Sequence, residues 1–167
     1  MQTLKQLRNT LPQRGQITWL GARPARREPM QVSTALQLTT TAGIVGDRYA
    51  GRQKDRQVTF IQAEHLEIIT DLIGTSTSAT HAIDPAVLRR NVVVRGINLL
   101  ALIDQTIAIG AARLRVTGRC HPCSRMEQVL GAGGYNAMRG HGGITAQVLT
   151  AGVIRIGDQL ELDLAAL

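Results

Sequence analysis

Thr106-Ile107-Ala108-Ile109-Gly110-Ala111-Ala112-Arg113-Leu114-Arg115-Val116-Thr117-Gly118-Arg119-Cys120-His121-Pro122-Cys123 holds two short strand-like runs joined over a glycine and closed by a pair of thiols. The first run, Thr106 to Ile109, is apolar and stops at Gly110. The second, Ala112 to Thr117, alternates apolar and basic residues, the period of a half-buried strand. Runs of the same kind recur at Gly15–Ala22, Gln31–Leu38, Gln57–Ile61, Val92–Val94, Ile144–Thr150 and Gln159–Leu164. Only two modest helices stand out between them. One spans Gln62 to Ile73, with Leu66, Ile69, Leu72 and Ile73 on one face before Gly74, and the other is opened by Asp84-Pro85. A doubly wound sheet needs regular long crossover helices, so the pattern predicts a mostly-β chain with short helices, bent or closed into a barrel.

Length and composition set the limits around that pattern. The chain has 167 residues and 44% hydrophobic content, enough for one core and too little for two independent ones, so a weakly held N-terminal segment over 1–14 and a single domain over 15–167 are expected. Aromatic residues are 2% of the chain, which leaves almost no material for stacking bases, and nucleic acid is not expected as a partner. The formal charge of +7 favours anionic partners without choosing among them. No run approaches the roughly 18 apolar residues of a membrane span, and no apolar signal-peptide core opens the chain, so a cytoplasmic protein with no membrane partner is expected.

The candidate chemistry concentrates in Gly118 to Glu127, which contains both cysteines of the chain. Arg119 and Arg125 flank the thiols with a cationic field that favours thiolate. A disulfide across so short a loop contributes little as a staple, so the value of the pair is chemical. A closed zinc site needs four ligands and one Cys-x-x-Cys pair supplies two. A thioredoxin-like dithiol enzyme calls for a βαβ setting that the many short strands do not suggest. Elsewhere, the helix begun by Asp84-Pro85 can run to about Arg90 and presents Arg89-Arg90-Asn91 before the buried Val92–Val94. Paired guanidinium groups there either fork onto a phosphate or simply face the negative end of the helix dipole. Gly43 to Arg52 is a glycine-punctuated loop with one acid and two arginines, read as a turn. Arg23 to Met30 reads as an exposed basic loop, while His65, Thr75–Thr80 and His81 carry no assigned chemistry. Beyond Glu127 the run is too glycine-rich for a helix; Asn136–Arg139 makes one turn and Gly140–Gly143 a flexible loop.

The order of Gly-Ile-Val-Gly-Asp-Arg (43–48), Val-Thr-Phe-Ile-Gln-Ala-Glu-His-Leu (58–66), Leu-Arg-Arg-Asn-Val-Val-Val-Arg-Gly-Ile-Asn-Leu-Leu (88–100), Cys-His-Pro-Cys-Ser-Arg-Met-Glu (120–127), Gly-His-Gly-Gly-Ile-Thr-Ala (140–146) and Ile-Arg-Ile-Gly-Asp (154–158) resembles the MOSC domain family, a module also found at the C-terminus of molybdenum cofactor sulfurases. The resemblance runs from about Gly15 onward. It implies a bent or closed β-barrel and a pocket for the molybdenum cofactor, molybdopterin, with Cys123 as the metal ligand and Cys120 as its neighbour. Arg89, Arg90 and Asn91 would then hold the pterin or its phosphate, with Arg48 and Arg125 as further cofactor-binding cations. Family members with an assigned activity reduce N-hydroxylated compounds with electrons from a separate donor protein, which casts His121 and Glu127 as candidate proton donors beside Cys123. The alternative is a sulfur carrier that uses a cysteine persulfide to sulfurate a cofactor or cluster. A non-enzymatic module for a basic-surface partner also stays open.

Overall fold

The computed structural model describes residues 1–49, 53–74 and 83–166. In chain order its elements are α1 (Leu4–Asn9), β1 (Gly15–Ala22), β2 (Gln31–Ser33), β3 (Ala35–Thr39), β4 (Gly43–Ile44), β5 (Val58–Gln62), α2 (Ala63–Ile73), α3 (Pro85–Leu88), β6 (Val92–Arg95), β7 (Thr106–Ile109), β8 (Ala112–Arg119), α4 (Ser124–Leu130), α5 (Gly134–Met138), β9 (Ile144–Thr150), β10 (Gly152–Arg155) and β11 (Gln159–Leu162). Tight 3-10 turns occupy Lys54–Arg56, Leu99–Leu102 and Leu164–Ala166.

Seven strands close a barrel in the order β11-β7-β8-β9-β5-β6-β1, and β1 pairs back onto β11 through Gly15 with Leu160 and Gln16 with Gln159. Neighbours are antiparallel except β5 and β6, which run parallel. Antiparallel strands can be joined by a tight turn, but a parallel pair needs a crossover, and α2 and α3 lie in that connection. Strand β2 extends the sheet beyond β1, and β10, β3 and β4 form a separate three-stranded sheet.

Two cores result from the period-2 alternation of the strands. Ile17, Leu20, Val58, Phe60, Val92, Val94, Leu114, Val116, Ile144 and Ala146 fill the barrel. Ile17 and Leu20 share that interior despite a spacing of three because the β1–β6 register slips between Ile17 and Trp19, a bulge that re-aims the strand. The opposite face of β5 and β6 presents Ile61 and Val93 to a second core, formed with Leu66 and Ile69 of α2, Leu88 of α3, Met126 of α4 and Ala137 and Met138 of α5. Both faces of β5 are therefore buried, and its two polar residues, Thr59 and Gln62, are buried with the rest and hydrogen-bonded to Asn91 and to the Leu99 amide.

Several expectations need correction. The described residues contain five α-helices where two were expected, and Ser124–Leu130 is helical because Met126 anchors it in the second core before the glycines begin. The helix opened by Asp84, whose carboxylate caps Ala86, ends at Leu88 because Arg89 turns into the left-handed region at φ 56°. Gln31–Leu38 is two strands in different sheets, broken beside Ser33, whose hydroxyl donates to the Ala35 carbonyl at 2.6 Å. Arg23 is buried rather than part of an exposed loop. The N-terminal segment forms the short α1, which buries none of its residues. Thr75–Thr80, His81 and the end of the Gly43–Arg52 loop lie outside the described residues. Among the described residues, no helix is long and apolar enough to cross a membrane.

Candidate functional site

The outward-facing residues at the start of β5 and just before β6 are polar where their neighbours are apolar. Asn91 is fully buried, and its amide and carbonyl are completely engaged. Its Nδ2 donates to the Gly21 carbonyl and to Asp47 Oδ2, both at 3.0 Å, while Oδ1 accepts from Thr59 Oγ1 and Arg23 Nη2, both at 2.8 Å, and from the Thr59 amide at 3.2 Å. Asp47 Oδ2 also takes Arg23 Nε and the Arg23 amide, both at 2.9 Å, and Oδ1 takes the Tyr49 amide at 3.0 Å. Burial alone would raise the Asp47 pKa. The hydrogen bond and charge of Arg23, with two backbone amides, overcome it and hold the carboxyl below its ordinary range. Arg23 lies 4.4 Å from the Tyr49 ring centroid and Arg48 lies 4.6 Å from it, so the network is continued by cation–π contacts.

Next to this network Arg90 is buried and tied to three backbone carbonyls. Its Nη1 donates to Leu88 at 2.9 Å, Nε to Gly142 at 2.8 Å and Nη2 to Cys120 at 3.4 Å. Burial first, with the charges of Arg23 and Arg56, lowers its pKa against the opposing pull of Cys120 and Cys123. Arg89 reaches the other way and donates to the Glu28 and Ala25 carbonyls, which fixes the basic loop of Arg26 and Arg27 beside the site. Its pKa is lowered by burial first and then by the charges of Arg125, Arg23 and Arg48.

These groups surround one cavity of about 580 Å³. Arg23, Arg26, Arg27, Arg48, Arg56, Arg89, Arg90 and Arg125 line it together with Cys120, His121 and Cys123, and among the described residues no carboxylate does. Cys123 is exposed at the N-terminal end of α4, with its sulfur uninvolved in capping, whereas Cys120 is buried at 4% exposure. The Nε of Arg125 is buried with no partner among the described residues. A buried orphan donor in a native structure calls for a ligand or ordered solvent.

The structure thus brings Cys123, His121, Arg48, Arg89, Arg90 and Arg125 to a common hollow. It separates two other candidates from it. Asn91 lies beneath the lining, where it organises Arg23 and Asp47. Glu127 accepts the Gly133 and Tyr135 amides, both at 2.8 Å, and these bonds lower its pKa. Its carboxylate therefore fastens the joint between α4 and α5, and Glu127 is not among the residues that line the hollow beside Cys123. Sequence reasoning missed Arg23, Thr59 and Arg56. Arg23 and Asp47 are 24 positions apart in separate loops, and the one available signal was a lone acid among glycines and arginines at 43–52.

None of the curated proteins matches the chain in sequence. Among solved structures, the YuaD protein from Bacillus subtilis is similar over 92% of this chain and 98% of its own, at 20% identity and a TM-score of 0.77. YiiM from Geobacillus stearothermophilus is similar over 89% of this chain and 75% of its own, at 15% identity and a TM-score of 0.70. YiiM from Escherichia coli covers 89% of this chain and 69% of its own, at 18% identity and a TM-score of 0.65. These likenesses establish the closed barrel. The model of the MOSC domain matches residues 44–161, which takes in β5 to β10, the Arg89-Arg90-Asn91 turn and both thiols, and on that match the chain belongs to the MOSC domain family.

Proposed function

We propose that this protein binds the molybdenum cofactor in the arginine-lined hollow, with Cys123 as the protein ligand to the metal, and reduces N-hydroxylated compounds there. The observation that carries the reading is the convergence of eight arginines and an exposed thiol on one cavity that no carboxylate lines among the described residues. Such an excess of cation is costly without an anion to offset it, and the pterin cofactor is an anion with a phosphate at one end and a sulfur-bound metal at the other. The residues present fit that group: Arg125 Nε, which has no partner among the described residues, and the guanidinium groups of Arg48 and Arg56 would hold the phosphate, and Cys123 would supply a soft donor.

When bound, the cofactor supplies a Lewis acid and a two-electron relay, and the electrons come from a separate donor protein. The rest falls to the chain. Arg90, held by Leu88, Gly142 and Cys120, sets the height of the thiol loop over the hollow. Asn91 and Asp47 fix Arg23, so its charge faces the cavity without being free to leave. His121 is exposed on the cavity wall and in this reading would hand a proton from solvent to a reacting N–O group.

The exposure of Cys123 also favours a second reading, a sulfur carrier that holds a persulfide on that thiol. One experiment separates the two. The protein is expressed in cells that make the cofactor, and molybdenum, pterin and sulfane sulfur are measured in wild type and Cys123→Ala. Metal and pterin in the wild type that disappear in the variant support the oxidoreductase. Sulfane sulfur without metal supports the carrier, and negligible metal in both proteins overturns the cofactor reading.

A further inference from the structure

A second cavity, of about 750 Å³, lies against the same thiol loop. Cys120 and His121 line both cavities, while Pro122 faces the second and Cys123 the first. The second cavity has two charged lining residues, Arg119 and Arg139, both exposed and neither in an ion pair among the described residues. Tyr135 and Asn136 add polar groups, and Asn136 Oδ1 accepts from Arg139 Nη1 at 3.4 Å. Leu100 and Pro122 give it a small apolar floor.

The remaining wall is backbone. Gly140, Gly142 and Gly143 line the cavity, but His141 between them does not. His141 turns away to meet His65 of α2, ring centroids 4.9 Å apart in an edge-to-face contact. The loop therefore offers a ligand bare main chain rather than side chains, and the glycines cannot be replaced without cost. A Cβ on Gly142 would stand 2.2 Å from the Cys120 carbonyl oxygen, and one on Gly143 would stand 1.8 Å from that of Phe60. Those clashes are with the protein's own backbone, so packing fixes these two glycines; what the cavity offers a small organic anion is main chain uncovered by side chains, flanked by two guanidinium groups able to make charge-assisted hydrogen bonds.

We infer that this second cavity binds a small organic anion, a carboxylate or a phosphate monoester, between Arg119 and Arg139, and that this is the substrate side of the site. The identity of the ligand as substrate rests on the reading above. Capture of an anion by this wall does not. The substrate enters opposite the cofactor hollow, and the shared Cys120-His121 wall places the imidazole of His121 within reach of both chambers.

The test uses the full chain and three probes: benzoate, phenyl phosphate and the neutral benzamide. Each is titrated while amide resonances are followed at Gly140, Gly142 and Gly143 for the second cavity, and at Thr59 and Arg89 for the arginine hollow. The expected result is saturable shifts at the three glycines with benzoate or phenyl phosphate and none with benzamide. The tighter of the two anions identifies the head group. Arg119→Gln/Arg139→Gln weakens that binding by about ten-fold or more, since each lost charge-assisted bond is of that order. The charge-conserving Arg119→Lys/Arg139→Lys recovers part of it, and the molybdenum content of all three proteins is the same. Shifts confined to Thr59 and Arg89, equal binding of benzamide, affinity unchanged in the glutamine variant, or no binding at all would each overturn the assignment. Failure of the cofactor reading has a different signature, absence of metal from the wild type.

Discussion

Asn91 is the residue on which the site's internal order depends. It joins β1 through Gly21, β5 through Thr59 and the Gly43–Tyr49 loop through Asp47, and every one of those partners is buried from solvent in the folded chain. Asn91→Ala leaves Asp47 and Thr59 short of partners, and a loss of about 2–4 kcal/mol is expected in urea unfolding. Asp47→Asn strips Arg23 of its counter-charge and is expected to cost about 3–5 kcal/mol. The same carboxylate gives a pH dependence with a defined sign. Its pKa is lower folded than unfolded, so its contribution is complete above the unfolded value and disappears as the pH falls through the folded one. Stability should therefore decline in acid, below the ordinary carboxylate range, and Asp47→Asn should lack that part of the slope. At the thiols, the contrast between exposed Cys123 and buried Cys120 predicts that iodoacetamide modifies one cysteine per native chain and two in denaturant, counted by mass. Cys123→Ser should remove the native reaction.

At the scale of elements, the joint between α4 and α5 is held by a carboxylate rather than by packing alone. Glu127→Gln weakens its two bonds to backbone amides, and amide exchange at Gly133 and Tyr135 should quicken by about ten-fold while the rest of the chain is unaffected. The glycine loop before β9 is the opposite case, fixed by sterics. Gly143 has φ 88° as well as a carbonyl where its Cβ would stand, so Gly143→Ala is expected to prevent the loop from seating on β5. Much of this level was legible in the sequence. The strands expected at Gly15–Ala22, Thr106–Ile109 and Ile144–Thr150 coincide with the observed ones, because an apolar run or alternation is written locally by each strand's own residues. Helix α4 was not legible, since what holds Ser124–Leu130 helical is Met126 packing against residues far away in sequence. Arg23 was missed for the same reason. A basic side chain in a proline-flanked loop looks solvated until its distant carboxylate is known.

For the molecule as a whole, closure and charge are the two governing facts. The barrel is sealed between its first and last strands by two residue pairs, reinforced by Ile17 exchanging backbone bonds with Asp158 and Gly157 at 2.9 and 2.8 Å. Deleting residues 159–167 removes β11 and leaves β7 and β1 as open edges, and the expected result is loss of cooperative thermal unfolding. The net charge of +7 is concentrated around the arginine hollow, so pyrophosphate should stabilise the chain. A hundred-fold excess over its Kd adds about 2.7 kcal/mol, or roughly 5–10 °C in Tm for a chain of this size. That rise should shrink with added salt and be largely lost in Arg48→Ala/Arg125→Ala. The family and the barrel could be read from the order of motifs, but the hollow itself could not, because its arginines come from separate segments scattered between positions 23 and 125.

Arg90 spends its guanidinium on the carbonyls of Cys120 and Gly142, and those two residues form part of the second chamber while Arg90 itself lines the first. One rigid planar group thus acts as a tie-rod through the partition. A guest that displaces the partition from one side must strain the same rod that shapes the other.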